Sequence, residues 1–252
     1  MCLILFAWQS HPRYRLVLAA NRDEFQQRPT AAADFWREQP ELLAGRDLQA
    51  GGTWLAVTKQ GRFAAITNYR EPAEPTPPGA PSRGQLVLDY LAAQAPPAEH
   101  ARAVAAAGKA YSGFNLLLGD AQRLEYVSNR ASAAAEVEPG VHGLSNHLLD
   151  TDWPKVHEGR SRLADLQHEA TLDPEDLFAL LSDRRLTPGD LPAGIEDDLV
   201  PELLTRHYFI ISPVYGTRSS TVLLIERDGG VVFAERQFDA EGQVSGTNEY
   251  RW

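Results

Sequence analysis

Cysteine is almost absent from this chain of 252 residues: Cys2 is the only one. An intrachain disulfide is therefore impossible, a cysteine-built zinc cage is equally excluded, and a reducing, cytoplasmic location is the natural expectation. Basic charge is also in deficit. With 24 Lys plus Arg against 34 Asp plus Glu, the formal net charge is -10, which offers no field to attract phosphate backbones or anionic lipid, so nucleic acid is not an expected partner. Long apolar runs are missing too. The N-terminal run Cys2 to Trp8 is too short to span a bilayer and has neither a basic region before it nor a small-residue cleavage site after it. No Asn-x-Ser/Thr sequon occurs, and Gly51-Gly52 and Gly229-Gly230 lead into no phosphate-binding loop and read as turns.

What is present is an ordinary globular composition, 43% hydrophobic and 23% charged, long enough for a core that needs no staples. No repeat or compositional break divides it, so one domain over 1–252 is expected. The apolar runs 2–8 and 14–20 flank the polar stretch Gln9–Arg13 and predict a hairpin, with Trp8 opposite Tyr14 and Cys2 roughly opposite Ala20. A second hairpin is expected at 53–58 and 62–68, turning at Lys59-Gln60-Gly61, and the Pro-rich 71–81 reads as an irregular loop. Ser82 is expected to cap a helix over 83–94, followed by helices at 97–109, 154–168 and 174–182. Further strands are expected at 113–119, 123–128, 207–212, 218–227 and 230–237, with 183–202 loop-rich. Hairpins dominate and the helices come in pairs, which predicts an α+β fold of mainly antiparallel sheets covered by helices.

The chemistry converges on Cys2. Loss of Met1 would leave a thiol and a free α-amine on one residue, a nucleophile carrying its own base. Arg22, brought near by the hairpin, would favour the thiolate, and Asp23 could orient the protonated amine. Asn68 and Asn146, at strand ends, are candidate oxyanion donors. The plainer alternatives are a small buried hydrophobe for Cys2 and a solvated turn for Asn21-Arg22-Asp23. His142 and His147 stand five apart with no acidic residue between them, which fits no usual metal pair, and no metal or other cofactor is expected. Trp54, Trp153 and Tyr69 read most simply as core or pocket wall.

Asn21-Arg22-Asp23-Glu24, Arg28-Pro29-Thr30, Gly51-Gly52-Thr53-Trp54-Leu55, Thr67-Asn68-Tyr69-Arg70, Ser82-Arg83-Gly84, Phe114-Asn115-Leu116-Leu117-Leu118, His142-Gly143-Leu144-Ser145-Asn146 and Tyr215-Gly216-Thr217-Arg218-Ser219-Ser220-Thr221 run through nearly the whole chain. Together they resemble the NRDE family, also called the transport and Golgi organisation 2 family. The resemblance implies a four-layer αββα sandwich of the N-terminal-nucleophile (Ntn) hydrolase type, with the Cys after Met as nucleophile, matched by Cys2. Similarity to cysteine amidases of that fold, such as bile salt hydrolases and penicillin V acylases, implies catalytic roles for Arg22, Asp23, Asn146 and the late Arg218. Those amidases space the Arg and Asp three residues apart, whereas here they are adjacent, so Asn21 and Glu24 stand as alternative holders of a role or as substrate contacts, with Trp54 and Tyr69 as pocket wall. The implied activity is hydrolysis of a non-peptide amide bond in a small acylated molecule. Eukaryotic relatives are linked to haem handling and to lipid or acyl-CoA metabolism, which implies a second reading, a non-enzymatic carrier of haem or an acyl ligand, and a catalytically silent scaffold is a third.

Overall fold

The structure is a computed structural model that describes residues 2–70, 79–182 and 206–252. The elements are β1 (Cys2–Trp8), β2 (Tyr14–Phe25), β3 (Thr30–Trp36), β4 (Gln39–Asp47), β5 (Leu55–Thr58), β6 (Phe63–Asn68), α1 (Gly84–Ala92) and α2 (Pro97–Ala107), the last running into a 3-10 turn at Gly108–Ala110. There follow β7 (Phe114–Gly119), β8 (Leu124–Ser128), β9 (Ala135–Glu136), β10 (Gly140–Leu144), α3 (Pro154–Leu166), α4 (Pro174–Leu181), β11 (Tyr215–Glu226), β12 (Val231–Phe238) and β13 (Val244–Arg251). Among the described residues these strands make two sheets. One has the order β10-β1-β2-β11-β12-β13, the other β3-β4-β5-β6-β7-β8-β9, and every neighbouring pair is antiparallel.

Period-two alternation gives each sheet two apolar faces and so demands four layers. From the first sheet, Ile4, Phe6, Leu16 and Leu18 meet Leu43, Val57, Phe63 and Leu117 of the second in a core between the sheets. Leu3, Leu5, Val17 and Ala19 point the other way, onto Val156 and Leu163 of α3 and Leu177 and Phe178 of α4. On the outer face of the second sheet, Ala64, Leu116 and Leu118 pack under Leu86, Val87 and Tyr90 of α1 and Ala101 and Val104 of α2. The result is the expected αββα sandwich. No helix among the described residues is long and apolar enough to cross a membrane.

The opening hairpin is offset by two residues from its expected register: Trp8 pairs with Leu16, and Cys2 with Arg22. The loop is longer because His11 is folded into it, nearly fully buried, its Nδ1 accepting from the backbone N–H groups of Arg13 (3.0 Å) and Tyr14 (3.1 Å). An offset of two leaves every side chain on its expected face. Ser82 does not cap α1. The cap position is Arg83, with no side-chain cap bond, and Ser82 stands one residue too far out, contributing its carbonyl to Gln85 N (3.1 Å). Residues 207–212 are not a strand. Thr217 ties this segment into a loop, exchanging backbone and side-chain bonds with Ile210, so Tyr208 and Phe209 are buried without ladder pairing. Strands β3, β4, β9 and β13 were not anticipated, and β10 only through the placing of Asn146 at a strand end. The expected loop at 183–202 and most of that at 71–81 lie outside the described residues.

Helix α3 lies so close to β1 that a Cβ on Gly159 would come within 2.6 Å of Leu5 Cδ1. Gly159→Ala is therefore expected to destabilise by about 1–3 kcal/mol through overpacking, outweighing a helix-propensity gain of about 1 kcal/mol. Urea unfolding would check this, and a midpoint at or above that of the wild type would refute the close approach.

Candidate active site

Cys2 begins β1 with the same facing as Ile4 and Phe6, so its half-buried thiol points between the sheets. It borders a cavity of about 370 Å³. Arg22, directly across the ladder, shares that facing. Its guanidinium stacks 4.3 Å from the Trp54 ring centroid, lies 3.6 Å from Glu24 and donates to Thr30 Oγ1 (3.3 Å). Arg28 and Arg83 add two more guanidinium groups to the cavity wall, and Glu24 and Asp47 balance them. Arg28 is committed to Asp47 at 2.7 Å. The Gly51-Gly52 and Ser82-Arg83-Gly84 motifs meet here because a Cβ on Gly52 would stand 2.8 Å from the Gly84 carbonyl carbon. Only glycine lets the start of α1 close this side of the cavity.

The backbone N of Cys2 donates to Asn146 Oδ1 (3.3 Å), and Ser145 Oγ donates to the Cys2 carbonyl (2.8 Å). Asn146 is fully buried, and its Nδ2 is spent on the Asn68 carbonyl (2.8 Å). Its geometry therefore suits holding the Cys2 nitrogen more than donating to an oxyanion. The Asn68 side chain is exposed on the cavity wall and has the better position for that donation. Asn115, a polar residue within the apolar run of β7, holds the segment bearing Asn146 in place. Its Nδ2 donates to the His147 carbonyl (3.0 Å) and to Thr67 Oγ1 (3.1 Å), while Thr67 Oγ1 donates to the Ser145 carbonyl (2.6 Å).

Asp23 has the opposite facing to Arg22 and turns toward the helix layer, where its Oδ1 accepts from Thr217 Oγ1 (2.7 Å). Asn21 shares that facing and is saturated: its Nδ2 donates to the Leu181 and Tyr208 carbonyls and its Oδ1 accepts from Ser220 Oγ. It braces the helix layer. Arg218 sits in a β-bulge between Thr217 and Ser219, where it donates to the Phe25 (3.0 Å) and Gln26 (2.8 Å) carbonyls and pins the end of β2 away from the cavity. Tyr69 packs against His147, ring centroids 5.0 Å apart. Thus Cys2, Arg22, Asp23, Glu24, Trp54, Asn68 and Asn146 converge, whereas Asn21, Tyr69 and Arg218 support them from outside.

Burial dominates the electrostatics. It pushes the Cys2 thiol up, and Arg22 pulls it down by less, so the expected net activation by Arg22 alone is not realised. Burial likewise raises Asp23, against the opposing pull of Lys155 and the Thr217 hydroxyl. Lys155 itself was missed. It is fully buried at the start of α3, its Nζ has no hydrogen-bond partner among the described residues, and burial pushes it down to about 8 against the attraction of Asp23 and Cys2. Among the described residues no group of three or more His, Cys, Asp and Glu side chains could hold a metal ion. His142 is engaged with Asp150 and His147 with Thr151.

Comparison with known proteins places this geometry. The fold matches that of the Caenorhabditis elegans N-acylethanolamine-hydrolyzing acid amidase ortholog with a TM-score of 0.50, over 88% of this chain and 92% of that one, at 12% identity. The four-layer sandwich is thus a fold that the two proteins share. The chain is 36% identical to the Bos taurus transport and Golgi organization protein 2 homolog, over all of this chain and 96% of that protein. Against the Homo sapiens homolog it is also 36% identical, over 94% of this chain and 92% of that protein. With residues 1–240 matching the family described as transport and Golgi organisation 2, the chain belongs to that family.

Proposed function

We propose that the protein is a cysteine Ntn hydrolase that cleaves the C–N amide bond of a small acylated molecule once Met1 has been removed. The observation that carries this reading is the seating of the Cys2 nitrogen on Asn146, at the end of β1 and beside the cavity that the thiol borders. A thiol pushed up by burial needs a proton acceptor, and the α-amine of a processed Cys2 is on the same residue. In the first half-reaction the sulfur bonds to the amide carbonyl carbon and the thiol proton passes to the α-amine. Asn68 donates to the oxyanion. Collapse breaks the C–N bond, and the departing amine takes the proton from the α-ammonium. Water then attacks the thioester, releasing the carboxylic acid and restoring the thiol.

The cavity wall favours this reading over a carrier of haem or a long acyl chain. Three arginines and three carboxylates, Asp23 among them, suit a small substrate with hydrogen-bonding groups, whereas a porphyrin or acyl chain needs apolar surface. The single free thiol fits a reducing, cytoplasmic setting.

Intact mass of protein made with its native N-terminus is expected to lack Met1. A panel of small N-acyl amides, quenched in acid, is expected to yield an adduct of acyl mass on Cys2, and Cys2→Ala is expected to abolish both adduct and turnover. Full turnover in Cys2→Ala would end the hydrolase reading. A Soret shift on haem addition, with no adduct from any amide, would transfer support to the carrier.

A further inference from the structure

Lys155 is a buried cation that the reaction sequence above leaves without a task, and its position can be derived from the packing of α3. Gly159 lies against Leu5 at the middle of β1, while Gln167, just past the helix, accepts from Ser10 Oγ (2.8 Å) beyond the strand's far end. Helix and strand therefore run in the same direction. Four residues before Gly159, on the same helix face, Lys155 lies about 6 Å nearer the start of β1, a displacement of about two strand residues. That puts it under the first residues of the strand, on the side that Asp23 faces across the ladder. The charged and titratable groups that act on it are Asp23 of β2, Cys2 of β1 and Arg70 after β6. Its Nζ is wholly shielded from water and has no hydrogen-bond partner among the described residues.

The chemistry of the site gives such a cation a use. A carboxylate beside the amine of a processed Cys2 would hold that amine as an ammonium, and an ammonium cannot accept the thiol proton. We propose that Lys155 is a positioning residue of the Cys2 site: its buried ammonium keeps Asp23 in place as a carboxylate and offsets the field of Asp23 at the amine and thiol of Cys2. The inference deepens the hydrolase reading and rests on it. Lys155 need not touch the substrate; it sets the pH at which the amine and thiol exchange a proton.

The test is the pH dependence of Cys2 alkylation by iodoacetamide in protein with its native N-terminus, for wild type, Lys155→Met and Lys155→Arg. Loss of the cation is expected to move the alkylation midpoint up by about one pH unit, which slows labelling near neutrality about tenfold, and Lys155→Arg is expected to restore most of the rate. An unchanged midpoint in folded Lys155→Met overturns the proposal. Should that variant fail to fold, the wild type suffices, because the chain has only three lysines and Lys59 and Lys109 are exposed. Lysine-selective NMR is expected to show one side chain titrating well below the other two, and Asp23→Asn is expected to lower it further. Three alike titrations, or no response to Asp23→Asn, overturn the coupling. Neither readout uses an amide substrate. A protein that passes them and never forms an acyl adduct keeps the Lys155 coupling and loses the hydrolase reading, and one that forms the adduct with an unmoved midpoint does the reverse.

Discussion

Arg22→Ala is expected to cost about 3–5 kcal/mol of stability, because it removes a buried cation that acts on buried Glu235 and leaves Glu24 with Arg28 alone, 3.7 Å away. The Arg22 side chain is only 6% exposed and faces Glu24 at 3.6 Å. It also attracts Glu235, which is buried between the sheets and raised by that burial despite bonds from Ala33 N, Gln237 and Thr221. The stack on Trp54 is lost with the guanidinium, and a desolvated cation–π contact contributes about 2 kcal/mol. The same substitution withdraws a cation that acts on the Cys2 thiol, so alkylation of Cys2 near neutrality should slow as well. Arg22→Lys keeps the charge but not the planar stack and should fall between the two. Urea unfolding checks the first effect and iodoacetamide the second. A loss of stability under 0.5 kcal/mol would mean that the pairing with Glu24 and Glu235 contributes little.

The site was legible where a residue type is rare or oddly placed, and illegible where burial decides. Cys2 stood out as the one cysteine, directly behind Met1, and the alternation of β1 and β2 brought Arg22 to its side even with the register offset, because an even offset preserves facing. Asn115 carried a readable signal, a lone amide in the run Phe114–Leu118, yet its role in holding the segment that bears Asn146 depends on contacts between the sheets. Lys155 carried none, since a lysine in the first turn of a helix is ordinarily solvated. Arg218 was drawn toward the site by resemblance, and the bulge at Thr217/Ser219 turns it onto β2 instead.

The fold was legible at its apolar hairpins and helix starts for the same reason. Asp173 caps α4 by accepting from Glu175 N (2.9 Å), and Pro97 and Pro154 open α2 and α3, as their local chemistry requires. Strands β3 and β13 lie at sheet edges, and β4 contains Pro40 among charged residues. Strand β13 carries the polar content that protects an edge, β3 is small residues broken by Asp34, and β4 is interior but opens on Gln39-Pro40-Glu41, so none of the three reads as apolar alternation. The run Tyr208–Ile211 is the converse case: apolar enough for a strand, but buried as a loop.

The pH dependence of stability should report Lys155 directly. In the unfolded chain a lysine titrates near 10.4, whereas burial brings Lys155 to about 8 in the fold. Between those values the unfolded state binds more protons than the folded one, so the Lys155 contribution to stability rises with pH across that window and is least favourable below it. The full change amounts to about 3 kcal/mol. Cys2 works in the opposite sense, because a thiol raised by burial loses stability as pH rises through the unfolded thiol value. Neither effect can be read from the wild type alone. The stability difference, wild type minus Lys155→Met, leaves from Cys2 only the shift that Lys155 itself causes, which acts in the same sense, and should increase from pH 7 to pH 10 by about that amount. Urea unfolding at successive pH values measures it. A difference that stays flat would mean that Lys155 keeps an ordinary lysine titration in the fold, and one that falls with pH would mean that Asp23 stabilises the ammonium beyond what burial costs it.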